Sequence, residues 1–112
     1  MPRIEISVVA ADGGEVHVVE IDGPLELPSV LALRSVLARL ADEGATRLLL
    51  DLTSVDFIDL AGVTTLYRAG LAARLAIAVP PDSQPARTLA LCQVEGLVPA
   101  FAGRAEAFAA LG

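Results

Sequence analysis

Asp56 and Asp59 lie three residues apart in the segment 54–63, and their carboxylates are the groups best placed to do chemistry. Two neighbouring carboxylates can act as acid and base, or they can bind a divalent cation. No histidine accompanies this pair, and a lone acid pair on a turn is usually solvated, so we expect no metal site. Because a helical pattern begins directly after Asp59, we predict that this carboxylate caps the helix by accepting backbone N–H bonds.

His17 and Cys92 are the only histidine and the only cysteine of the chain. His17 falls among alternating apolar residues, far in sequence from any residue with nucleophile spacing, so we expect a structural histidine. Cys92 falls in an apolar helical setting and has no second cysteine to pair with, which predicts a buried thiol. The turn Asp12-Gly13-Gly14 lacks the helix and the lysine of a phosphate-binding loop. The sequence therefore predicts neither an enzyme nor a cofactor.

The elements that position these residues begin with two alternating apolar-polar segments, 4–9 and 15–21, which predict a hairpin closed by Asp12-Gly13-Gly14. Apolar residues then recur at helical spacing from Ser29 to about Gly44. The run 47–52 is nearly continuous in apolar residues, as in a central strand covered on both faces.

The second half of the chain repeats the alternation of helix and strand. Helical spacing after residue 60 predicts a second helix, and 75–79 predicts another buried strand. Pro80-Pro81-Asp82-Ser83 predicts a turn and cap before a third helix that continues through Val94 and stops at Gly96. A short edge strand is expected within 97–102, and a final helix over 104–111. This strand-helix-strand order indicates an α/β fold.

Composition restricts the classes of partner. With 112 residues the chain has the length of one domain, and 54% hydrophobic residues provide an aliphatic core. The net charge is −6 and there is no lysine, which argues against nucleic acid. No apolar run approaches the length needed to span a bilayer, and the first residues lack the apolar core of a signal peptide. We expect a cytoplasmic protein without direct membrane insertion.

The order of these motifs resembles the STAS domain, the fold of bacterial anti-sigma factor antagonists. The resemblance covers almost the whole chain and rests on four matches: the turn Gly23-Pro24-Leu25-Glu26, the strand Leu50-Asp51-Leu52, the loop Val55-Asp56-Phe57-Ile58-Asp59, and Gly96-Leu97 after the third helix. It implies a STAS-like single domain over residues 1–112, with a mixed central sheet of four or five strands and about four α-helices packed on it. The family turn usually carries Asp where this chain has Glu26.

The position after Asp59 also departs from the family pattern. In the phosphorylated antagonists a Ser or Thr directly follows the Asp, whereas here Asp59 is followed by Leu60 and Ala61. No phosphorylation is therefore expected at Leu60. Two interpretations of Leu60 stay open, because it either presents apolar surface to a partner or packs into the core. Thr64 and Thr65 offer the nearest downstream hydroxyls, and either bonding to the first helical turn or phosphorylation is compatible with the sequence.

The resemblance implies a non-catalytic, protein-binding regulator in a partner-switching system. Its partner would be an anti-sigma factor or a related serine kinase, and Leu60 would hold it in one state. The expected partner-binding residues are Glu26, Asp59, Leu60, Ala61, Gly62, Thr64, Thr65 and Arg68. The alternative is a STAS-like accessory subunit or ligand-binding module that docks to a transporter subunit, for example of a lipid-trafficking transporter.

Overall fold

Five strands and four helices form over residues 3–112, the part of the chain that the computed structural model describes. They follow in the order β1 (Arg3–Ala11), β2 (Gly14–Asp22), α1 (Ser29–Asp42), β3 (Arg47–Ser54), α2 (Leu60–Ala72), β4 (Arg74–Ala78), α3 (Gln84–Cys92), β5 (Ala100–Phe101) and α4 (Arg104–Leu111). The fold class expected from the sequence is therefore confirmed.

The strands form one mixed sheet in the order β1-β2-β3-β4-β5. β1 and β2 are antiparallel, because a two-residue turn joins Ala11 to Gly14 and Gly13 takes a φ of 85° that side chains disfavour. β2, β3, β4 and β5 run parallel to one another, and a helix crosses between each successive pair of β2, β3 and β4. The carboxyl ends of these parallel strands thus meet at one edge of the domain.

The two faces of the sheet have cores of different size. Leu48, Leu50 and Leu52 of β3 point into the larger core, which α1, α2 and α3 cover. Leu49, one residue out of phase, packs in a smaller cluster with Ala107 and Leu111 of α4. The nearly continuous apolar run predicted as a central strand is explained by this covering of both faces.

The third helix and the last strand are shorter than predicted. α3 ends at Cys92, because Gln93 takes the left-handed conformation with a φ of 54°, so Val94 lies outside the helix. Cys92 is half-buried against the larger core, and is therefore less buried than the sequence predicts. Only Ala100 and Phe101 of the expected edge segment form strand.

The helices that cover the sheet are of modest length. α1 has 14 residues and α2 has 13. Across residues 3–112, no helix combines the length and the apolar composition that crossing a membrane requires.

Candidate functional site

Two loops leave the carboxyl ends of β2 and β3 side by side. The Leu25 amide donates to the Phe57 carbonyl at 2.7 Å, and the Asp59 amide donates to the Leu25 carbonyl at 3.4 Å. Leu25 and Ile58 form a parallel bridge and are both essentially fully buried. The buried pair anchors the two loops to each other, so the start of α2 has a fixed position relative to the loop that precedes α1.

Asp59 is the N-cap of α2, as predicted. Its backbone is extended, and its carboxylate accepts a hydrogen bond of 2.9 Å from the Gly62 amide. This bond satisfies one of the amides that the first turn of a helix leaves free. Leu60 therefore occupies the first helical position, at the end where the helix dipole is positive.

Gly62 lets α2 approach the preceding loops closely. A Cβ atom there would lie 2.6 Å from Cγ1 of Ile58 and 2.7 Å from the carbonyl oxygen of Leu25. Contacts this short do not occur in folded proteins without displacement, so any side chain at position 62 would push the helix away from the loops. The glycine of the motif is thus explained by packing.

Gln84, the first residue of α3, fixes the loop from the other side. Its side-chain oxygen accepts from the Ile58 amide at 2.9 Å, and its side-chain nitrogen donates to the Ile58 carbonyl at 3.0 Å. A primary amide is well suited to forming this pair of hydrogen bonds, because it carries a donor and an acceptor side by side. Sequence reasoning missed Gln84, since nothing in its local context indicates a partner 26 residues away.

Leu60 is 71% exposed, which rules out the interpretation that it packs into the core. Leu27 and Phe57 of the two loops are 60% and 39% exposed. Leu27 follows Leu25 by two residues just as Leu60 follows Ile58, so the paired loops bring both leucines out at the same end of the fold. We call the exposed residues at this end the Leu60 patch; they are Leu27, Phe57, Leu60, Ala61 and Thr64.

The two threonine hydroxyls bond to the helix itself. Thr64 is exposed and donates to the Leu60 carbonyl at 2.9 Å, and Thr65 donates to the Ala61 carbonyl at 2.9 Å. Thr65 and Gly62 are buried, so neither offers a side chain to a partner. These two positions support the first turn of α2 from within.

Charges surround the Leu60 patch. Asp56 is exposed beside it, Asp59 and Glu26 are half-buried, and Arg68 lies two helical turns beyond Leu60 on the exposed side of α2. None of these four side chains forms an ion pair with another residue of the described part of the chain. Within residues 3–112, no group of three or more His, Cys, Asp or Glu side chains is arranged to hold a metal ion.

A polar cluster lies on the opposite face of the sheet, where β3 ends. Asp51 is 5% exposed, and its carboxylate accepts from the Thr53 hydroxyl at 2.7 Å and forms an ion pair of 2.7 Å with Arg104. Burial alone would raise the pKa of Asp51, but the hydrogen bonds from Thr53 and Arg104 outweigh it and lower that pKa. The hydrogen bond to Asp51 and a second contact with Glu20 raise the pKa of Arg104. The cluster fixes the start of α4 against the end of β3.

Comparison with known proteins agrees with this architecture. The family model of the STAS domain matches residues 7–107. No curated protein matches the chain. An anti-sigma factor antagonist from Mycobacterium paratuberculosis has a similar structure, with a TM-score of 0.80, 19% identity and coverage of 97% of this chain and 94% of the other. The phosphorylated form of the Bacillus cell fate determinant SpoIIAA gives a TM-score of 0.68 at 15% identity, over 98% and 100% of the two chains.

An anion transporter contains a similar region. The murine anion transporter Slc26a9 matches with a TM-score of 0.65 and 19% identity, over 86% of this chain but only 17% of the transporter. At these identities the three structures show a shared fold, and that fold occurs both as a small separate protein and as part of a transporter.

Proposed function

Because this chain belongs to the STAS domain family, we propose that it is a non-catalytic, protein-binding regulator of the anti-sigma factor antagonist type. In this proposal it acts in the bacterial cytoplasm and binds an anti-sigma factor or a related serine kinase through the Leu60 patch. The observation that carries the proposal is the 71% exposure of Leu60 at the first position of α2, directly after the capping Asp59.

Leu60 occupies the position where a switch by phosphorylation would act. The start of a helix favours an added anion, because free amides and the helix dipole point toward it. Leucine cannot accept a phosphoryl group, and the nearest hydroxyl downstream in the sequence, that of Thr64, donates to the Leu60 carbonyl. The proposed binding therefore does not depend on phosphorylation at position 60.

The composition of the patch defines the partner surface. Burying the exposed part of a leucine contributes roughly 1.5–2 kcal/mol to binding, which is the contribution of a central apolar contact. Asp56, Asp59 and Glu26 carry negative charge around Leu60. The complementary surface has an apolar recess for Leu60 with arginine or lysine at its rim.

Affinity capture with a matched pair of variants tests the proposal. Tagged wild-type protein, Leu60→Glu and Leu91→Glu are used to recover partners from native cells, and the partners are identified by mass spectrometry. Leu91 is the control, because it is 84% exposed on α3 and lies outside the Leu60 patch. Both variants introduce the same charge at an exposed leucine.

The expected result is an anti-sigma factor or serine kinase that co-purifies with the wild type and with Leu91→Glu but is lost with Leu60→Glu. A charge placed in an apolar contact is costly to desolvate, so we expect affinity to fall at least tenfold. Equal recovery by all three proteins would show that the Leu60 patch does not bind the partner, even if the partner belongs to the expected class.

The second candidate function is docking to a transporter. It is favoured by the structural match to part of the anion transporter Slc26a9 and by a contact residue that cannot be phosphorylated. Recovery of transporter subunits in place of a kinase, again lost with Leu60→Glu, would support this candidate and exclude the first.

A further inference from the structure

The two edges of the sheet differ sharply in length. β5 presents only Ala100 and Phe101, whereas β1 presents nine residues, Arg3–Ala11. Proteins protect exposed edges by keeping them short, bending them with bulges, or placing proline or charged residues, lysine above all, on them. The β5 edge is protected by its shortness, so the open edge of this domain is β1.

β1 lacks most of these protections. Its register with β2 continues without a bulge from Arg3 to Ala11, and this segment contains neither lysine nor proline. Arg3 and Glu5 are its only charges, and they pair with each other at 3.2 Å. The remaining tract, 6–11, is uncharged, and Val8 and Val9 are 50% and 39% exposed on opposite faces of the sheet.

We propose that this edge binds a second copy of the chain, with the two β1 strands antiparallel and Ser7 on the two-fold axis. A two-fold axis at Ser7 pairs all nine residues of β1, whereas an axis at Ile6 or Val8 pairs only seven of them. The axis must also pass midway between a residue and the same residue of the partner. If the pairing slipped by one residue, side chains from opposite faces of the sheet would be placed opposite each other. The result is one continuous sheet through both copies.

The backbone supports this arrangement. The two-residue turn after Ala11 makes Ala11 and Gly14 a hydrogen-bonded pair, so odd-numbered residues of β1 direct their amide and carbonyl groups toward β2. The even-numbered residues direct theirs outward. With the axis at Ser7, Ile6 faces the partner's Val8 and Ile4 faces the partner's Ala10. The outward amide and carbonyl groups of one copy can therefore form hydrogen bonds with those of the other along the whole edge.

The side chains are also complementary. Ile6 packs against the larger core, so placing it opposite the partner's Val8 covers an exposed valine with the edge of that core. On the other face, Glu5 lies opposite the partner's Val9, and Arg3 lies opposite the partner's Ala11. Arg3 thereby comes within one residue of the partner's Asp12, and no two like charges are placed opposite each other.

Disulfide cross-linking tests both the interface and its register. All variants carry Cys92→Ser, so that each has a single thiol. With the axis at Ser7, the two Ser7 Cα atoms form a non-hydrogen-bonded pair about 4.5 Å apart, within the range of a disulfide. Glu5 is the control, since each Glu5 lies about 13 Å along the strands from its symmetry mate, too far for a disulfide.

Ser7→Cys is expected to form a covalent dimer under mild oxidation, whereas Glu5→Cys is expected to form no disulfide between the two copies. Sedimentation of the wild type is expected to show a reversible dimer that tightens with salt, because each copy carries a net charge of −6. Val8→Lys, checked for folding by circular dichroism, is expected to weaken the dimer about tenfold. A wild type that sediments as a monomer at every concentration overturns the proposal, and so does equal cross-linking of the two cysteine variants.

Discussion

Replacing Gln84 tests whether the loop before α2 is fixed by a single side chain. Gln84→Ala removes both hydrogen bonds to Ile58 and leaves a partly buried amide and carbonyl without partners. A neutral hydrogen bond contributes about 1 kcal/mol, and an unsatisfied buried group costs about as much again. Allowing for water at this partly buried site, we expect the free energy of unfolding to fall by about 2 kcal/mol.

The measurement is urea unfolding followed by circular dichroism, with Leu91→Ala on the same helix as control. Leu91 is 84% exposed, so its truncation is expected to change stability by less than about 0.5 kcal/mol. A loss of 2 kcal/mol in a domain of 112 residues corresponds to a fall of about 8 °C in Tm. Hydrogen exchange adds a local readout, because the Ile58 amide should exchange faster in Gln84→Ala than in either other protein.

Gln84→Glu tests the two hydrogen bonds to Ile58 separately. An ionised glutamate can accept from the Ile58 amide but cannot donate to the Ile58 carbonyl, whereas a protonated one can do both. The folded state therefore favours the protonated form, and the pKa of the new carboxyl is expected to be higher in the folded than in the unfolded protein. The free energy of unfolding of Gln84→Glu should be closest to that of the wild type below about pH 4, and the difference should grow as pH rises.

Two results would contradict the reasoning about Gln84. If Gln84→Ala unfolds like Leu91→Ala, the two hydrogen bonds do not stabilise the loop. If the deficit of Gln84→Glu is the same at all pH values, the donated bond to the Ile58 carbonyl does not contribute.

Substitutions at four further positions have defined outcomes. Gly62→Ala should lower stability by about 2 kcal/mol in thermal unfolding despite the higher helix propensity of alanine, because the short contact to a backbone oxygen cannot be relieved by rotating a side chain. Asp59→Ala should cost about 1 kcal/mol in the same assay and Asp59→Asn much less, since asparagine also caps. Asp51→Asn should cost about 1–3 kcal/mol near neutral pH, and the difference from wild type should shrink below about pH 4, as the lowered pKa of Asp51 is passed and its carboxylate protonates. Leu60→Ser should fold like the wild type and, with the cognate kinase and ATP, gain one phosphate detectable by mass spectrometry.

Local sequence patterns were sufficient for most of the fold. The hairpin followed from alternation and the turn glycines, and the cap at Asp59 followed from an acid placed directly before a helical pattern. Both depend on contacts between residues close in sequence. The end of α3 was placed too late, because the left-handed conformation of Gln93 has no clear signal in a residue other than glycine.

The support of the candidate site could not be predicted in the same way. Gln84 and Ile58 are 26 residues apart, and Asp51 and Arg104 are 53 apart, so only the folded sheet brings each pair together. The sequence does not decide the exposure of Leu60, since leucine is more often buried and periodicity does not orient the first turn of a helix. These features depend on tertiary packing.

In the proposed function, positioning and recognition fall to different residues of the candidate site. Leu25, Ile58 and Gly62 are buried and fix the start of α2, whereas Leu60 extends from its first turn into solvent. Because Leu60 contributes little to the core, this position tolerates exchange of an apolar group for a hydroxyl without rebuilding the loop. In the proposed function, the same scaffold would therefore present either a switchable hydroxyl or a permanent apolar contact, according to the identity of residue 60.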